Sequence, residues 1–291
     1  MPSINLSPEA FRLSVTDEKQ KGRYAGPFTL TNPPVQFIRV NPCGLVPKRD
    51  TNPVVYRVIN HQSAPHGESI NDGINKEDFI TSYEHVGHAA QWIRHFGKGC
   101  LLIKIDIKEA YCIIPIDPVD QTLQGVICDN ELYFDKCAAF GNRASGGIFC
   151  RVADLIAWVA MDHGIPAIIH YVDDFLLITP CEGIKIRKLF ESILHFLRIP
   201  FKKEKTIGPA TKVQFLGIEL DTITATASIP LDKRNELISH LRKWQTAKCC
   251  FISELRSLVG YLIWACQIIP HGRPFVQSFI ECLKRAQDRS K

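Results

Sequence analysis

The feature that most limits what this chain can fold into is an Asp-Asp pair, Asp173-Asp174, held between two short apolar runs, Ala167–Val172 and Phe175–Thr179. Apolar runs joined so tightly pair as neighbouring strands, and the acids then fall in the turn between them. Taken alone, adjacent aspartates are ordinary turn chemistry. The flanking pattern says more. Leu101–Ile107 is an apolar strand carrying one acid, Asp106. Ala144–His163 reads as a helix ending at Gly164, and Glu182–Arg198 as an amphipathic helix with Ile186, Leu189, Ile193, Leu194 and Leu197 on its apolar face. Val213–Leu220 reads as a further strand. A hairpin is inserted at Leu123–Cys128 and Glu131–Asp135, around the turn residues Asp129-Asn130.

Setting that hairpin aside, the order is strand, helix, strand, strand, helix, strand, which is a split βαβ arrangement. A right-handed crossover makes the first two core strands parallel and inserts the third between them, antiparallel. Asp106 is thereby expected beside Asp173 and Asp174, although 67 positions separate it from Asp173. Three close carboxylates repel one another and raise their own pKa values unless cations neutralise them. Hard divalent cations with oxygen ligands are the natural partners: Mg²⁺ first, with Mn²⁺ able to substitute. Two such ions about 3.5–4 Å apart form the clamp used for in-line displacement at phosphorus. Asp106 would bridge both, with the backbone carbonyl of Ile107 as a further ligand.

Residues 1–60 are rich in Pro and Gly and predict extended chain with short strands such as Val54–Ile59. A helix is expected over Tyr83–Phe96, stopping at Gly97. The last 60 residues read as all-helical. Leu237, Ile238, Leu241 and Trp244 share one face; Leu255, Leu258, Val259, Leu262 and Ile263 share another, behind a Ser253 cap; Phe275, Val276, Phe279, Ile280 and Leu283 mark a third helix. From Leu231 to Lys291 there are 11 Lys or Arg against 5 Asp or Glu, whereas the whole chain carries only +5. A basic end beside a near-neutral body suits a module that grips a polyanion. The 11 cysteines include no Cys-x-x-Cys, and Cys249-Cys250 suits neither a simple bridge nor a tetrahedral metal site, so reduced structural thiols are expected. No apolar run of about 18 residues occurs, and the first 25 residues do not form a secretory signal. An intracellular setting, cytoplasm or nucleus, and no membrane partner are the expectation.

With these residues in hand a resemblance emerges. Tyr171-Val172-Asp173-Asp174 resembles the Tyr-x-Asp-Asp box of reverse transcriptases. Lys104-Ile105-Asp106-Ile107-Lys108-Glu109-Ala110-Tyr111 resembles their first catalytic motif, an Asp followed five positions later by an aromatic. Phe140-Gly141-Asn142-Arg143-Ala144-Ser145 is similar to the segment opening their template- and nucleotide-contacting helix, and Phe215-Leu216-Gly217 to their primer grip. Gly22–Phe28, Val46-Pro47-Lys48, Ser69-Ile70-Asn71-Asp72, Ile114–Pro118, His170, Glu204-Lys205-Thr206 and Gly272–Phe275 are similar to the DIRS-like class of retrotransposons.

The resemblance implies an α+β right-hand polymerase. Fingers and a ferredoxin-like or RRM-like split βαβ palm would occupy residues 1–230, the fingers mainly 1–97 and 119–137, with a helical thumb at 231–291. It implies RNA-directed DNA polymerase activity, a nucleotidyl transfer from dNTPs to a primer on an RNA or DNA template. Asp106, Asp173 and Asp174 are implied as catalytic metal ligands, and Tyr111 as the steric gate against a ribose 2′-hydroxyl. Lys48 and Arg57 are implied to bind the triphosphate, and Phe140 and Gly141 to pack under nucleotide and template. Lys205 is implied to protonate pyrophosphate, with Lys202 and Lys203 competing for that role. Phe215, Leu216 and Gly217 are implied to grip the primer.

Two departures stand out. Ala138-Ala139 replaces the family's Leu-Pro before Phe-Gly, and Ser145-Gly146-Gly147 lacks its Pro, which predicts a looser helix start. Neither a protease signature nor a following RNase H or recombinase segment is present, so the chain reads as one piece of a larger element polyprotein or a stand-alone remnant. The alternatives are a catalytically silent nucleic-acid-binding remnant and an RNA-dependent RNA polymerase, the latter disfavoured by Tyr111.

Overall fold

The apolar runs flanking Asp173-Asp174 do pair as strands. A computed structural model describes residues 7–47, 54–247, 249–269 and 271–288. The chain opens with α1 (Pro8–Gln20), β1 (Tyr24–Thr29), β2 (Cys43–Pro47), β3 (Tyr56–Asn60) and α2 (Val86–Phe96). Next come β4 (Leu101–Asp106), the short α3 (Pro118–Gln121), β5 (Gly125–Cys128), β6 (Glu131–Asp135) and α4 (Ser145–Asp162). The hairpin β7 (Ala167–Tyr171) and β8 (Asp174–Thr179) leads into α5 (Gly183–Phe196), β9 (Ile207–Ala210), β10 (Lys212–Phe215), β11 (Ile218–Asp221) and β12 (Thr226–Ser228). Three helices finish the described chain: α6 (Leu231–Thr246), α7 (Ile252–Ala265) and α8 (Arg273–Asp288).

These elements form two compact units. One is drawn from Met1–Tyr83, Ile107–Trp158 and His195–Phe201; the other from Glu84–Asp106, Val159–Leu194 and Lys202–Lys291.

The second unit is built on a four-stranded sheet in the order β7-β8-β4-β9. Every neighbouring pair is antiparallel, so β7 and β4 run parallel on either side of β8. Both faces are covered, which is why these strands read as continuous apolar runs rather than alternating ones. On one face Val86, Ala89 and Ile93 of α2 pack with Leu102, Ile169, Leu176 and Ile178. On the other, Phe175 meets Phe190 of α5 with ring centroids 5.6 Å apart, and both side chains are fully buried. Gly97, at φ 87°, ends α2 in a conformation that a side chain would resist.

The first unit contains a three-stranded sheet, β1-β6-β5, and the β2-β3 hairpin. Asp129 and Asn130 both have positive φ (51° and 62°), the backbone that a tight β5–β6 hairpin demands. Phe11 and Val15 of α1, one helical turn apart, bury against Tyr24, Leu45, Val126 and Tyr133.

Three expectations are corrected. Residues 1–60 were expected to be extended, yet Pro8–Gln20 is helical; its apolar face is only two buried residues wide, too faint a stripe for periodicity to register. The fourth sheet strand is Ile207–Ala210, while Val213–Leu220 folds into the β10–β11 hairpin about Leu216-Gly217. An apolar run broken by Gly217 is a hairpin, because Gly supplies positive φ at little cost. Ser253 lies inside α7 rather than capping it, and the Glu254 carboxylate accepts the Phe251 N–H at 2.9 Å.

Asp135, at the end of β6 opposite Tyr24, carries a consequence for pH. Burial raises its carboxyl to about 7, although the Cys137 N–H donates to Oδ1 at 3.0 Å and Arg23 also opposes the shift. A raised carboxyl stabilises the folded chain below its unfolded pKa of about 4, and that contribution is lost as pH rises through 7. Asp135→Asn should therefore flatten the fall in urea midpoint between about pH 4 and 7 and exceed the parent protein in stability at pH 8. Parallel pH slopes for the two proteins would contradict this assignment.

Candidate active site

The antiparallel β4–β8 register runs from Leu101 opposite Thr179 to Asp106 opposite Asp174. Asp106 is thus the last residue of one strand and Asp174 the first of the next, and Tyr171 pairs with Asp174 to close the hairpin. Val172 turns the corner with φ 53°, left-handed backbone that a β-branched residue rarely adopts. Such strain costs on the order of 1–3 kcal/mol, and it holds Asp173 at the hairpin tip.

The electrostatics of this end of the sheet are those of crowded carboxylates. Burial pushes the Asp173 carboxyl up, and the charges of Asp106 and Asp174 push it further; its own backbone N–H and Lys202 oppose. Two lysines reach in. Lys202 Nζ lies 2.6 Å from Asp106 Oδ1, and Lys104 Nζ 3.2 Å from Asp174 Oδ1. Lys202 is also fixed through its backbone, its N–H donating to the Asp106 carbonyl at 2.9 Å. Lys104 stands two residues before Asp106 on β4, so the two share a face and Lys104 meets Asp174 diagonally.

Carboxylates at one end of a sheet, one of them raised chiefly by burial, offer the oxygen donors that a hard divalent cation takes. Among the described residues no three His, Cys, Asp or Glu side chains are drawn together as a metal cage. The carboxylates face lysine instead, so an entering cation would take Asp106 from Lys202 and Asp174 from Lys104. The donor chemistry fits such an ion. Ile107 follows Asp106 directly and is fully buried.

In the first unit a second group assembles. Tyr111 lies in the 3-10 turn Ala110–Ile113, just after Glu109, whose φ is 54°. Lys21 (3.0 Å) and Arg23 both pair with Glu109. Burial alone would raise that carboxyl, but the two cations hold it at about 2. The Tyr111 ring lies 4.8 Å from Phe140 and 6.2 Å from Phe149, and the Arg57 guanidinium sits over Phe140 at 4.4 Å. Tyr111, Phe140 and Arg57, named separately in the sequence, form one stack. Gly141 has φ 115°, and a Cβ there would stand 1.9 Å from the Asn60 carbonyl oxygen.

The glycine-rich start of α4 is not loose. A Cβ on Gly147 would lie 2.7 Å from the Phe79 carbonyl oxygen, so close backbone approach requires glycine there. Ser145 Oγ donates to the Ala139 carbonyl at 3.0 Å, and the Asn142 side chain accepts the Ala144 N–H at 2.8 Å. Ala138 and Ala139 are buried.

In the second unit, Leu216 and Gly217 both have positive φ (51° and 80°) and form the β10–β11 turn behind the buried Phe215. Trp264 of α7 donates its indole N–H to the Leu216 carbonyl at 2.9 Å. Lys205 is exposed at the end of the 3-10 turn Lys203–Lys205, whereas its neighbour Lys202 is the one on Asp106. Lys48 lies outside the described residues. Sequence reasoning missed Lys104, although period-two alternation from Asp106 marks it, and missed the Arg23–Glu109 pair, which sequence spacing does not mark.

A family model described as reverse transcriptase (RNA-dependent DNA polymerase) matches residues 48–220. No curated protein matches the sequence. Three solved structures of a foamy viral protease-reverse transcriptase are similar in fold. The dRH form with double-stranded DNA has TM-score 0.69 and 17% identity, covering 95% of this chain and 43% of that one. A complex with RNA/DNA hybrid gives 0.66 and 15%, covering 95% and 33%. A further complex with dsDNA gives 0.65 and 16%, covering 96% and 52%. This chain spans about a third to a half of the length of those proteins.

The Lys202–Asp106 pair is partly buried, and Lys202→Met removes one side of it. Urea unfolding in chelator should show a loss of about 1–3 kcal/mol, the range for a charged hydrogen bond whose partner is left unsatisfied. An unchanged midpoint would mean the pair contributes nothing to the folded state.

Proposed function

This chain belongs to the reverse transcriptase (RNA-dependent DNA polymerase) family, and from that membership we propose that it extends a primer 3′-hydroxyl with dNTPs on an RNA or DNA template. The observation that carries the proposal is the register placing Asp106 opposite Asp174, with Asp173 at the adjoining hairpin tip. In this reading Asp106, Asp173 and Asp174, with the Ile107 carbonyl, hold two Mg²⁺ ions, for which Mn²⁺ can substitute. When bound, such ions lower the pKa of the attacking hydroxyl and neutralise charge on the triphosphate and leaving pyrophosphate.

The chain's own residues orient the reactants. Tyr111, backed by Phe140 and Phe149, is the proposed gate that excludes a 2′-hydroxyl. Lys48 and Arg57 bind the triphosphate, and Phe140 and Gly141 pack under nucleotide and template. Contact with Asp106 favours Lys202 over Lys205 as the proton donor to pyrophosphate. Phe215, Leu216 and Gly217 form the primer grip, steadied by Trp264.

Residues 1–230 are proposed as fingers and palm, the fingers mainly 1–97 and 119–137, and residues 231–291 as the thumb. The excess of basic residues in 231–291 would contact phosphates without reading sequence. The foamy viral relatives are described with double-stranded DNA and with RNA/DNA hybrid, which supports a primer–template partner. The DIRS-like motifs support a retrotransposon origin, as one part of a larger polyprotein. Among the described residues no helix is long and apolar enough to cross a membrane.

Primer extension on poly(rA)–oligo(dT) with Mg²⁺ or Mn²⁺ tests the activity. Incorporation of dTTP is expected; none, from folded protein that binds the duplex, would leave the silent-remnant reading in its place. Asp173→Asn should abolish extension and spare duplex binding, and unaltered extension would place the chemistry elsewhere. Tyr111→Val should raise rNTP use relative to dNTP, measured as the ratio of kcat/KM values; an unchanged ratio would remove Tyr111 from the gate.

A further inference from the structure

We infer that Asn71 is a positioning residue for the incoming nucleotide, acting through the Phe140–Arg143 turn; the inference rests on the proposed polymerase function. Asn71 is 4% exposed and sits in the 3-10 turn Ile70–Asp72. Its carboxamide makes three strong hydrogen bonds. Nδ2 donates to Ser63 Oγ at 2.7 Å and to the Gly141 carbonyl at 2.8 Å, and Oδ1 accepts the Arg143 N–H at 2.7 Å. Two of the three grip the backbone on either side of Asn142. No other common side chain of this length offers two donors and an acceptor in one plane.

The platform under Asn71 is itself rigid. Asp72 accepts from Ser69 Oγ (2.7 Å), Ser69 N–H (3.0 Å) and Gly67 N–H (2.8 Å), closing the loop on itself. The Asn71 backbone N–H donates to the Gln62 carbonyl at 3.0 Å. Gln62, fully buried, accepts from Asn142 Nδ2 at 2.7 Å and donates to Gln124 at 2.9 Å. On the other side of the turn the Asn60 N–H donates to the Phe140 carbonyl at 2.8 Å. The Gly141 turn is therefore held between β3 and the Asn71 loop chiefly by neutral amides, and the Arg143 guanidinium adds a bond to the Ile74 carbonyl at 3.0 Å.

What this turn carries is Phe140, whose ring meets Tyr111 on one contact and Arg57 on another. A shift of Gly141 moves Phe140, and with it the surface against which Tyr111 rests. Misplacement by an ångström at a positioned group costs up to about a hundredfold in rate. Loss of Asn71 should thus appear in nucleotide recognition and sugar choice ahead of duplex binding.

The test compares the parent protein, Asn71→Ala, Asn71→Asp and Ser63→Ala in steady-state primer extension with dTTP and UTP, normalised to active sites titrated by a pre-steady-state burst. Asn71→Asp keeps the acceptor for Arg143 and the side chain's shape but loses both donors, so it serves where the alanine variant fails to fold. For either Asn71 variant, KM for dTTP should rise on the order of tenfold, kcat should fall less, and the dTTP:UTP preference should narrow. Ser63→Ala, which leaves the Gly141 and Arg143 bonds intact, should stay near the parent values. If a folded Asn71 variant keeps parental KM and sugar preference per active site, whatever its melting temperature, Asn71 is only structural and the inference fails. Absence of incorporation by the parent protein would instead overturn the polymerase function on which the inference rests.

Discussion

Pairing of β4 with β8 in the register that sets Asp106 opposite Asp174 is the constraint on which the candidate site depends. A slip of one residue would turn Asp106 to the opposite face of the sheet and separate it from the hairpin acids. Alternation of apolar and polar residues cannot enforce this register, because both faces of the sheet are covered and Leu102, Ile103 and Ile105 are all fully buried. One other feature can. Lys104 shares with Asp106 the polar edge of an otherwise apolar strand, whereas the two-residue turn at Val172-Asp173 fixes only β7 against β8. The Lys104–Asp174 contact is satisfied only when the strands are aligned as found.

Much of this was legible in the sequence because it is carried by local pattern plus chain order. Apolar runs gave the β4, β7 and β8 strands, Gly97 and Gly164 marked helix ends, and right-handed crossover brought Asp106 to the hairpin. The helices of residues 231–288 were legible from their spacing, although Phe275 is exposed while its neighbour Val276 is buried. Illegible elements were those whose stability comes from distant partners. Pro8–Gln20 offers only Phe11 and Val15 to the core and depends on the β-strands that receive them. Ile207–Ala210 is a strand containing Gly208 and Pro209, composition that argues against a strand until β4 supplies the pairing.

The site residues divide in the same way. Asp106 and Asp174 lie on strands whose order predicts their pairing, with Asp173 at the adjoining hairpin tip, so this placement was accessible. Lys202 was one of three lysines in four positions, and sequence alone could not choose among them. The choice comes from its backbone N–H, which bonds the Asp106 carbonyl and so aims the side chain back along the strand. The two lysines also explain how these neighbouring acids persist in a folded chain. Desolvation disfavours Asp173 as an anion, while Lys104 and Lys202 offset the charge of its neighbours. Such pairs suit the proposed metal binding, since a lysine is a flexible point charge and the strands hold the acids independently of it.

The first unit uses a different means of precision. Around Gly141 the supports are the backbone N–H of Asn60 and the side chains of Gln62, Asn71, Gln124 and Asn142, none of which carries charge. An apolar core fixes position through shape and tolerates small shifts, whereas a hydrogen bond between buried groups fails steeply with distance and angle. Burying amides is costly unless each is satisfied; the Gln62, Asn71 and Asn142 side chains find partners here, whereas Asn60 Nδ2 and Oδ1 find none among the described residues. Neutrality matters as well: a carboxylate at position 71 would accept from Arg143, and from a rotated Ser63 hydroxyl, but would repel the Gly141 carbonyl that the amide now binds. Held in this way, Phe140 presents a fixed face to both Tyr111 and Arg57. The apolar-to-polar change in supporting chemistry therefore coincides with the turn where the nucleotide is proposed to rest.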